Sequence, residues 1–186
     1  MMMLPTDNPY LFISKRLGFR HWRTDDIAPM SVINADNAVM AFFPQQQNVA
    51  QTHAFIDRME IQLNEKGYTY FAVDHLADAQ FIGFIGLSCQ TYEAPFTPCI
   101  DLGWRLHPNY WRMGLATEGA VCCIQYARDQ LGLAKIYAVA PVINQPSIRV
   151  MEKAGLTKEG TFQHPLLTDF AQLRECVCYA KNLLIK

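Results

Sequence analysis

The chain lacks a surplus of either charge. Over 186 residues, 16 Lys and Arg stand against 17 Asp and Glu, a formal net charge of -1. A nucleic-acid-binding domain ordinarily carries a basic excess to neutralise phosphates, so no nucleic-acid partner is expected. Charge is scarce altogether, 18% of residues against the usual quarter. That scarcity points to an extra buried surface, a deep slot or a subunit interface, and so leaves room for a homodimer. No apolar run approaches the ~20 residues that span a bilayer, and no membrane partner is expected. The opening Met1–Pro9 has neither the basic nor the apolar region of a secretory signal. A cytoplasmic location is the expectation. No C-x-x-C pair occurs, and no histidine lies near a cysteine at zinc-finger spacing, so no metal site is expected. Cys89, Cys99, Cys122, Cys123, Cys176 and Cys178 are read as reduced thiols filling a core.

What is present is apolar and aromatic. Hydrophobic residues make up 51% and aromatics 12%, which excludes a disordered chain. The length suits one domain over 1–186, with 1–11 as an N-terminal extension. Lys15–Trp22 alternates as a first strand, and Thr24-Asp25-Asp26 opens a helix with Ile27, Met30 and Ile33 on one side. A second helix is expected from about Ala50 to Lys66, with Phe55, Met59 and Leu63 one turn apart and Gly67 at its end. Strands follow at Tyr68–Val73, Gln80–Gln90 and Ile100–Leu106. A third helix reaches about Leu131 and buries Ala116, Ala120, Cys123, Ile124, Ala127 and Leu131. Then come a strand at Lys135–Ala140, a short helix opened by Asn144 with Pro146 in first place, and strands at Leu156–Phe162 and Arg174–Leu183. The order β-α-α-β-β-β-α-β-α-β-β mixes hairpins with crossovers, so the sheet should be single and mixed.

The loop before the third helix carries the first chemical signal. Arg112 and Gly114 lead into Ala116-Thr117, and the first N–H groups of a helix have no internal partner. Together with the helix dipole they attract an anion, and small residues let it approach the backbone. The segment is neither a Walker loop nor a dinucleotide fingerprint, and by itself it reads better as a plain turn.

The segments Ile82-Gly83-Phe84-Ile85-Gly86-Leu87, Asp101-Leu102-Gly103-Trp104-Arg105-Leu106, Tyr110-Trp111-Arg112-Met113-Gly114-Leu115-Ala116-Thr117-Glu118 and Asn144-Gln145-Pro146-Ser147 occur in that order. From Arg16 to about Tyr179 the chain resembles the GNAT superfamily of N-acetyltransferases, and within it the ribosomal-protein N-terminal acetyltransferase (RimJ/RimL-like) branch. The resemblance implies an α/β fold with one mixed, mostly antiparallel central sheet flanked by helices and a splayed strand pair. It implies acetyl-CoA as co-substrate and a primary amine as acceptor, either a peptide N-terminus or a small molecule, with direct transfer in a ternary complex. By the same resemblance, Leu106, Arg112, Met113, Gly114, Leu115, Ala116 and Thr117 hold the donor's pyrophosphate and pantetheine, with Trp111 where Gln or Arg is common. Asn144 matches the family Asn that contacts the pantetheine or orients the amine.

Acetyl transfer needs a neutral amine, a donor to the developing oxyanion and a proton for the leaving thiolate. Ser147 matches the branch's proton donor; the bland alternative is a first-turn Ser satisfying backbone groups. Asp101 matches a position where Glu often serves as general base, though Asp is one methylene shorter. His164, before Pro165, is the rival base and has a suitable pKa; a turn residue is its bland reading. Tyr110 and Tyr137 are weaker rivals as acid. Trp22, Phe42, Phe43, Tyr92 and Phe96 fall on the acceptor side and form either an acceptor pocket or core. A catalytically silent acyl-CoA sensor with the same fold is the competing functional reading.

Overall fold

The computed structural model describes residues 8–184. Its strands are β1 (Phe12–Ile13), β2 (Leu17–Arg20), β3 (Tyr70–His75), β4 (Gln80–Gln90), β5 (Cys99–Leu106), β6 (Lys135–Pro141), β7 (Thr157–Gln163) and β8 (Glu175–Asn182). The helices are α1 (Ile27–Ala35), α2 (Val49–Lys66), α3 (Leu115–Asp129), α4 (Gln145–Lys153) and the single turn α5 (Ala171–Arg174). All strands join one sheet in the order β1-β2-β3-β4-β5-β6-β8-β7. Every neighbouring pair is antiparallel except β5 and β6. This is the mixed, mostly antiparallel α/β architecture expected.

Alternation along β3 sends Phe71 and Val73 to one face and Ala72 to the other, and each face builds its own core. On one side α3 and α4 cover Phe71, Ile85, Leu87, Leu102 and Ile136. On the other, α1 and α2 bring Met30, Ile33, Ile56 and Met59 onto Trp22, Ala72 and Phe84. Each fully buried side chain of this size contributes ~1.5–3 kcal/mol. The side chains of Asn48 and Gln51 each accept from the other's backbone N–H, a reciprocal cap that starts α2. Gly67 ends it in the left-handed region, φ 74°. The buried stripe of α2 is Thr52, Ile56, Met59 and Leu63, with Phe55 turned partly outward.

Several local expectations shift. The first strand is shorter than Lys15–Trp22, and a two-residue β1 pairs with it. Residues 1–7 of the expected N-terminal extension lie outside the described residues. From Tyr10 the chain is docked: the Tyr10 ring lies over Gly18, and Leu11 N–H donates to Phe19 O at 2.8 Å. Pro146 takes the second place in α4, because Asn144 caps the helix and Gln145 opens it. All six cysteines are free thiols, four of them buried.

Candidate active site

The site begins where a ladder stops. β5 pairs with β4 without interruption from Gly83↔Leu106 to Gln90↔Cys99. Its other neighbour, β6, meets it at Asp101↔Tyr137 alone. Beyond that point the strands diverge, leaving backbone groups of β5 turned into a cleft. Asp101 straps the apex: its carboxylate accepts from the Tyr70 hydroxyl at 2.6 Å and from the Val139 backbone N–H.

A cavity of about 220 Å³ occupies this cleft, lined by Asp101, Asn144 and Ser147 together with Phe42, Phe43, Phe55, Tyr70, Phe84 and Arg105. Three of the expected site residues therefore converge. Burial raises the Asp101 pKa to about 6, although the hydrogen bonds from Tyr70 and Val139 favour the anion. The first turn of α4 delivers Ser147, whose backbone N–H donates to Asn144 Oδ1 at 3.2 Å. Asn144 is buried and fixed by this cap.

From the open end of β5 the chain turns into α3. Trp111 Nε1 donates to Leu106 O at 2.8 Å and pins the loop to the strand. Arg112 takes φ 61° and Gly114 φ 79°, left-handed conformations that Gly adopts freely and Arg only against strain. α3 begins at Leu115, one residue before the expected Ala116. The N–H groups of Leu115, Ala116 and Thr117 precede the first intrahelical bond, Glu118 N–H to Gly114 O at 3.0 Å. The side chains of Leu106 and Leu115 are buried in the core, so only their backbones face this loop.

Arg16 is a part of this loop that sequence reasoning missed. It donates to Met113 O at 3.0 Å and pairs with Glu118 at 2.7 Å. Glu118 also accepts from the Ser14 hydroxyl at 2.7 Å and the Arg16 N–H at 2.8 Å. Burial alone would raise the Glu118 pKa, but these donors hold it below the ordinary value. Nothing in the sequence marked Glu118 as an anchor for the β1–β2 hairpin.

His164 does not join Asp101 and Ser147 in the cavity lining. Its Nδ1 accepts from Leu166 N–H at 3.2 Å as a turn cap, and its ring packs 4.3 Å from that of Tyr92. Burial lowers its pKa. Tyr110 donates to Asp78 at 2.9 Å, and Tyr137 stacks on Phe96. Of the acceptor-side aromatics, Phe42 and Phe43 line the cavity. Trp22 is buried under α1 and α2, and Tyr92 and Phe96 pack with Phe162. Arg105 and Gln47, also in the lining, went unmarked in the sequence. Arg105 shares a strand face with Asp101, four residues away, and that period was its available signal.

Residues 16–157 match the acetyltransferase (GNAT) domain family. The uncharacterized N-acetyltransferase YnaD of Bacillus subtilis is 26% identical over 151 residues, 81% of this chain and 84% of that protein. The fold is shared with a GNAT-family acetyltransferase from Bacillus anthracis, TM-score 0.74 at 23% identity, over 92% of this chain and 97% of that one. It is shared also with a ribosomal-protein-S5-alanine acetyltransferase from Vibrio fischeri, TM-score 0.72 at 19% identity, over 92% and 95%. The chain belongs to the GNAT acetyltransferase family and is an N-acetyltransferase. Among the described residues no cluster of His, Cys, Asp or Glu could hold a metal ion, and no helix is long and apolar enough to cross a membrane.

Proposed function

We propose that the protein transfers the acetyl group of acetyl-CoA directly to a primary amine in a ternary complex in the cytoplasm. The observation that carries this reading is the cleft between β5 and β6, which runs from Asp101 to the start of α3. The residues present fit the donor. Unpaired backbone of β5 suits the amide groups of a pantetheine arm. Gly114 at φ 79° has no Cβ, and a built one would lie 3.7 Å from the Arg16 guanidinium. Bare N–H groups and a free approach are what a pyrophosphate requires. Arg112, Met113, Gly114, Leu115, Ala116 and Thr117 make that cradle, Leu106 ends the strand beside it, and Asn144 faces the arm from α4.

Asp101 is the general base. A carboxyl with a pKa of about 6 lies closer to neutral pH than an ordinary Asp, which favours proton removal from a bound ammonium. Being short, it acts through a water. Ser147, across the cavity, donates a proton to the departing sulfur. His164 serves as a turn cap, supported by its Nδ1 bond. Buried, unpaired thiols suit a reducing compartment. A protein or peptide N-terminal α-amine, the acceptor of the RimJ/RimL-like branch, and a small-molecule amine are both compatible with this machinery.

Thermal melting with acetyl-CoA titrated in tests the donor site. Ligand at a hundred times its Kd stabilises the native state by about 2.7 kcal/mol, so the midpoint should climb with dose. Gly114→Glu, which adds bulk and negative charge at the cradle, should abolish that climb. A flat wild-type midpoint at millimolar ligand overturns the assignment.

A further inference from the structure

Among the described residues, only two buried side-chain polar atoms lack a hydrogen-bond partner: Gln47 Oε1 and Arg105 Nε. Both belong to the lining of the cavity that contains Asp101 and Ser147. Folded proteins rarely leave buried donors and acceptors unpaired, and two in one cavity mark a place made for something else.

Arg105 is the stronger signal. Its residue is 9% exposed. Only Nη1 is bonded, donating to the neutral Asn34 Oδ1 at 2.6 Å. The guanidinium carbon lies 4.1 Å from the Phe43 ring centroid and 5.5 Å from that of Phe84. No carboxylate pairs with it among the described residues, although other arginines of this protein have such partners. Burial lowers its pKa to about 10, so it remains charged at neutral pH. Asp101 sits four residues back on the same face of β5, ~13 Å away along the strand. One small, aromatic-walled cavity thus has an acid toward the reacting end and an unpaired cation toward the other.

We propose that the acceptor is a compact apolar amino acid whose carboxylate docks on the free Nε–Nη2 edge of Arg105 and whose amine lies toward Asp101. Two parallel N–H···O bonds from that edge match a carboxylate. Gln47, the other unpaired group of the lining, adds a second polar side chain to the same cavity. Phe43, Phe55 and Phe84 enclose the apolar body. The volume of about 220 Å³ is below the ~300–1,000 Å³ of ordinary ligand pockets, which favours a compact molecule over a peptide. The unpaired cation repels polyamines. This proposal rests on the acetyl-transfer reading of the cleft. In the step, the acetyl C–S bond breaks and a C–N bond forms. The bound ammonium gives one proton to Asp101 through water, Ser147 protonates the departing sulfur and regains its proton from the nitrogen of the tetrahedral intermediate, and the products are an N-acetylamino acid and CoA.

The test uses the full chain at saturating acetyl-CoA and follows thiol release. Acceptors are offered in matched pairs: leucine, phenylalanine and 5-aminopentanoate, each beside its own carboxamide. At least one acid should exceed its amide tenfold or more in kcat/KM. Arg105→Met should raise that acid's KM at least tenfold and erase the preference, with the acetyl-CoA KM unchanged, and Arg105→Lys should restore part of it. The matched-pair comparison stands on wild-type protein alone. Amides equal to or better than acids in every pair overturn the proposal, as does turnover confined to peptides or polyamines. So does calorimetry showing that none of the acids binds the CoA-saturated protein. Failure of acetyl-CoA to raise the melting midpoint overturns the donor site and this proposal together, whereas a normal rise without carboxylate preference overturns only this one.

Discussion

Arg20 and Arg105 are both buried arginines of the same sheet, and their surroundings are opposites. Arg20 makes two bonds to Asp26, at 2.7 and 2.9 Å, and two to Asp74, at 2.8 and 2.7 Å. Tyr10 adds a bond to Asp74 at 3.3 Å, and the guanidinium pKa is raised despite its burial. Arg105 has one neutral partner and an unpaired Nε. The difference follows the sheet. Arg20 lies where β2 and β3 are laddered, and Arg105 lies on the strand whose far edge is open. Saturated polar groups mark the structural half, and unsaturated ones mark the half awaiting ligands.

The sharpest way to test that division is to remove a group from the open side and find activity lost with stability intact. Ser147→Ala should lower kcat by about 10²–10⁴ if Ser147 is the proton donor, while its melting midpoint stays within a few degrees of wild type. Steady-state kinetics beside a melt reads both, and a near-normal kcat returns Ser147 to a capping role. Arg20→Met should do the reverse. Removing one member of a buried ion network costs about 3–5 kcal/mol, a fall of roughly 10 °C in midpoint for a chain of this size. The folded fraction should keep its kcat/KM. Denaturant unfolding measures the loss, and a change under 1 kcal/mol would break the comparison.

Asp101 joins the halves, because it is hydrogen-bonded yet has its pKa raised to about 6. With Asp101 as base, kcat/KM should rise with pH through about 6 and level off, and Asp101→Asn should remove that limb from a pH–rate profile. Its linkage to stability has a definite sign. A carboxyl whose folded pKa lies above its unfolded value of 3.8 binds a proton first in the native state. Between about 6 and 4, stability should therefore gain from this group as pH falls.

Legibility divided along a similar line. The structural settings of Gly114, Asn144 and Ser147 were legible because they are local: a positive φ, a helix cap and a first-turn position each leave a mark within a few residues. The succession of strands along the chain from β2 to β8 followed from periodicity. Arg105 was missed because its isolation is a property of packing. Its one partner, Asn34, is 71 residues away, and nothing in Trp-Arg-Leu says that no acid comes near. Arg16 was missed for the same reason, since its loop contacts lie about a hundred residues on. β1 is two residues long, too short for any period to register. His164 was singled out by residue type alone, and the sequence did not say that its Nδ1 accepts from the turn it caps, outside the cavity lining.

Glu118 gives the smallest effect and the clearest contrast with Asp101. Its pKa is lowered, because Ser14 and Arg16 donate to the anion and outweigh the cost of burial. The sign is then reversed: the stabilisation is present above the ordinary carboxyl value of 4.5 and disappears as pH falls through the lower folded value. Glu118→Gln keeps the shape and removes the charge. It should cost about 1.5–3 kcal/mol at pH 7, in the range of hydrogen bonds to charged groups. The deficit should shrink as pH falls through the lowered folded value, where wild type becomes protonated as well. Because Glu118 holds Arg16 beside Met113 and Gly114, the same variant should weaken acetyl-CoA binding severalfold at pH 7 without changing kcat. Unfolding curves from pH 7 down through the acid range, with a donor titration at pH 7, decide it. A deficit independent of pH would mean that Glu118 acts through packing, and that the donor cradle does not depend on the charge beside it.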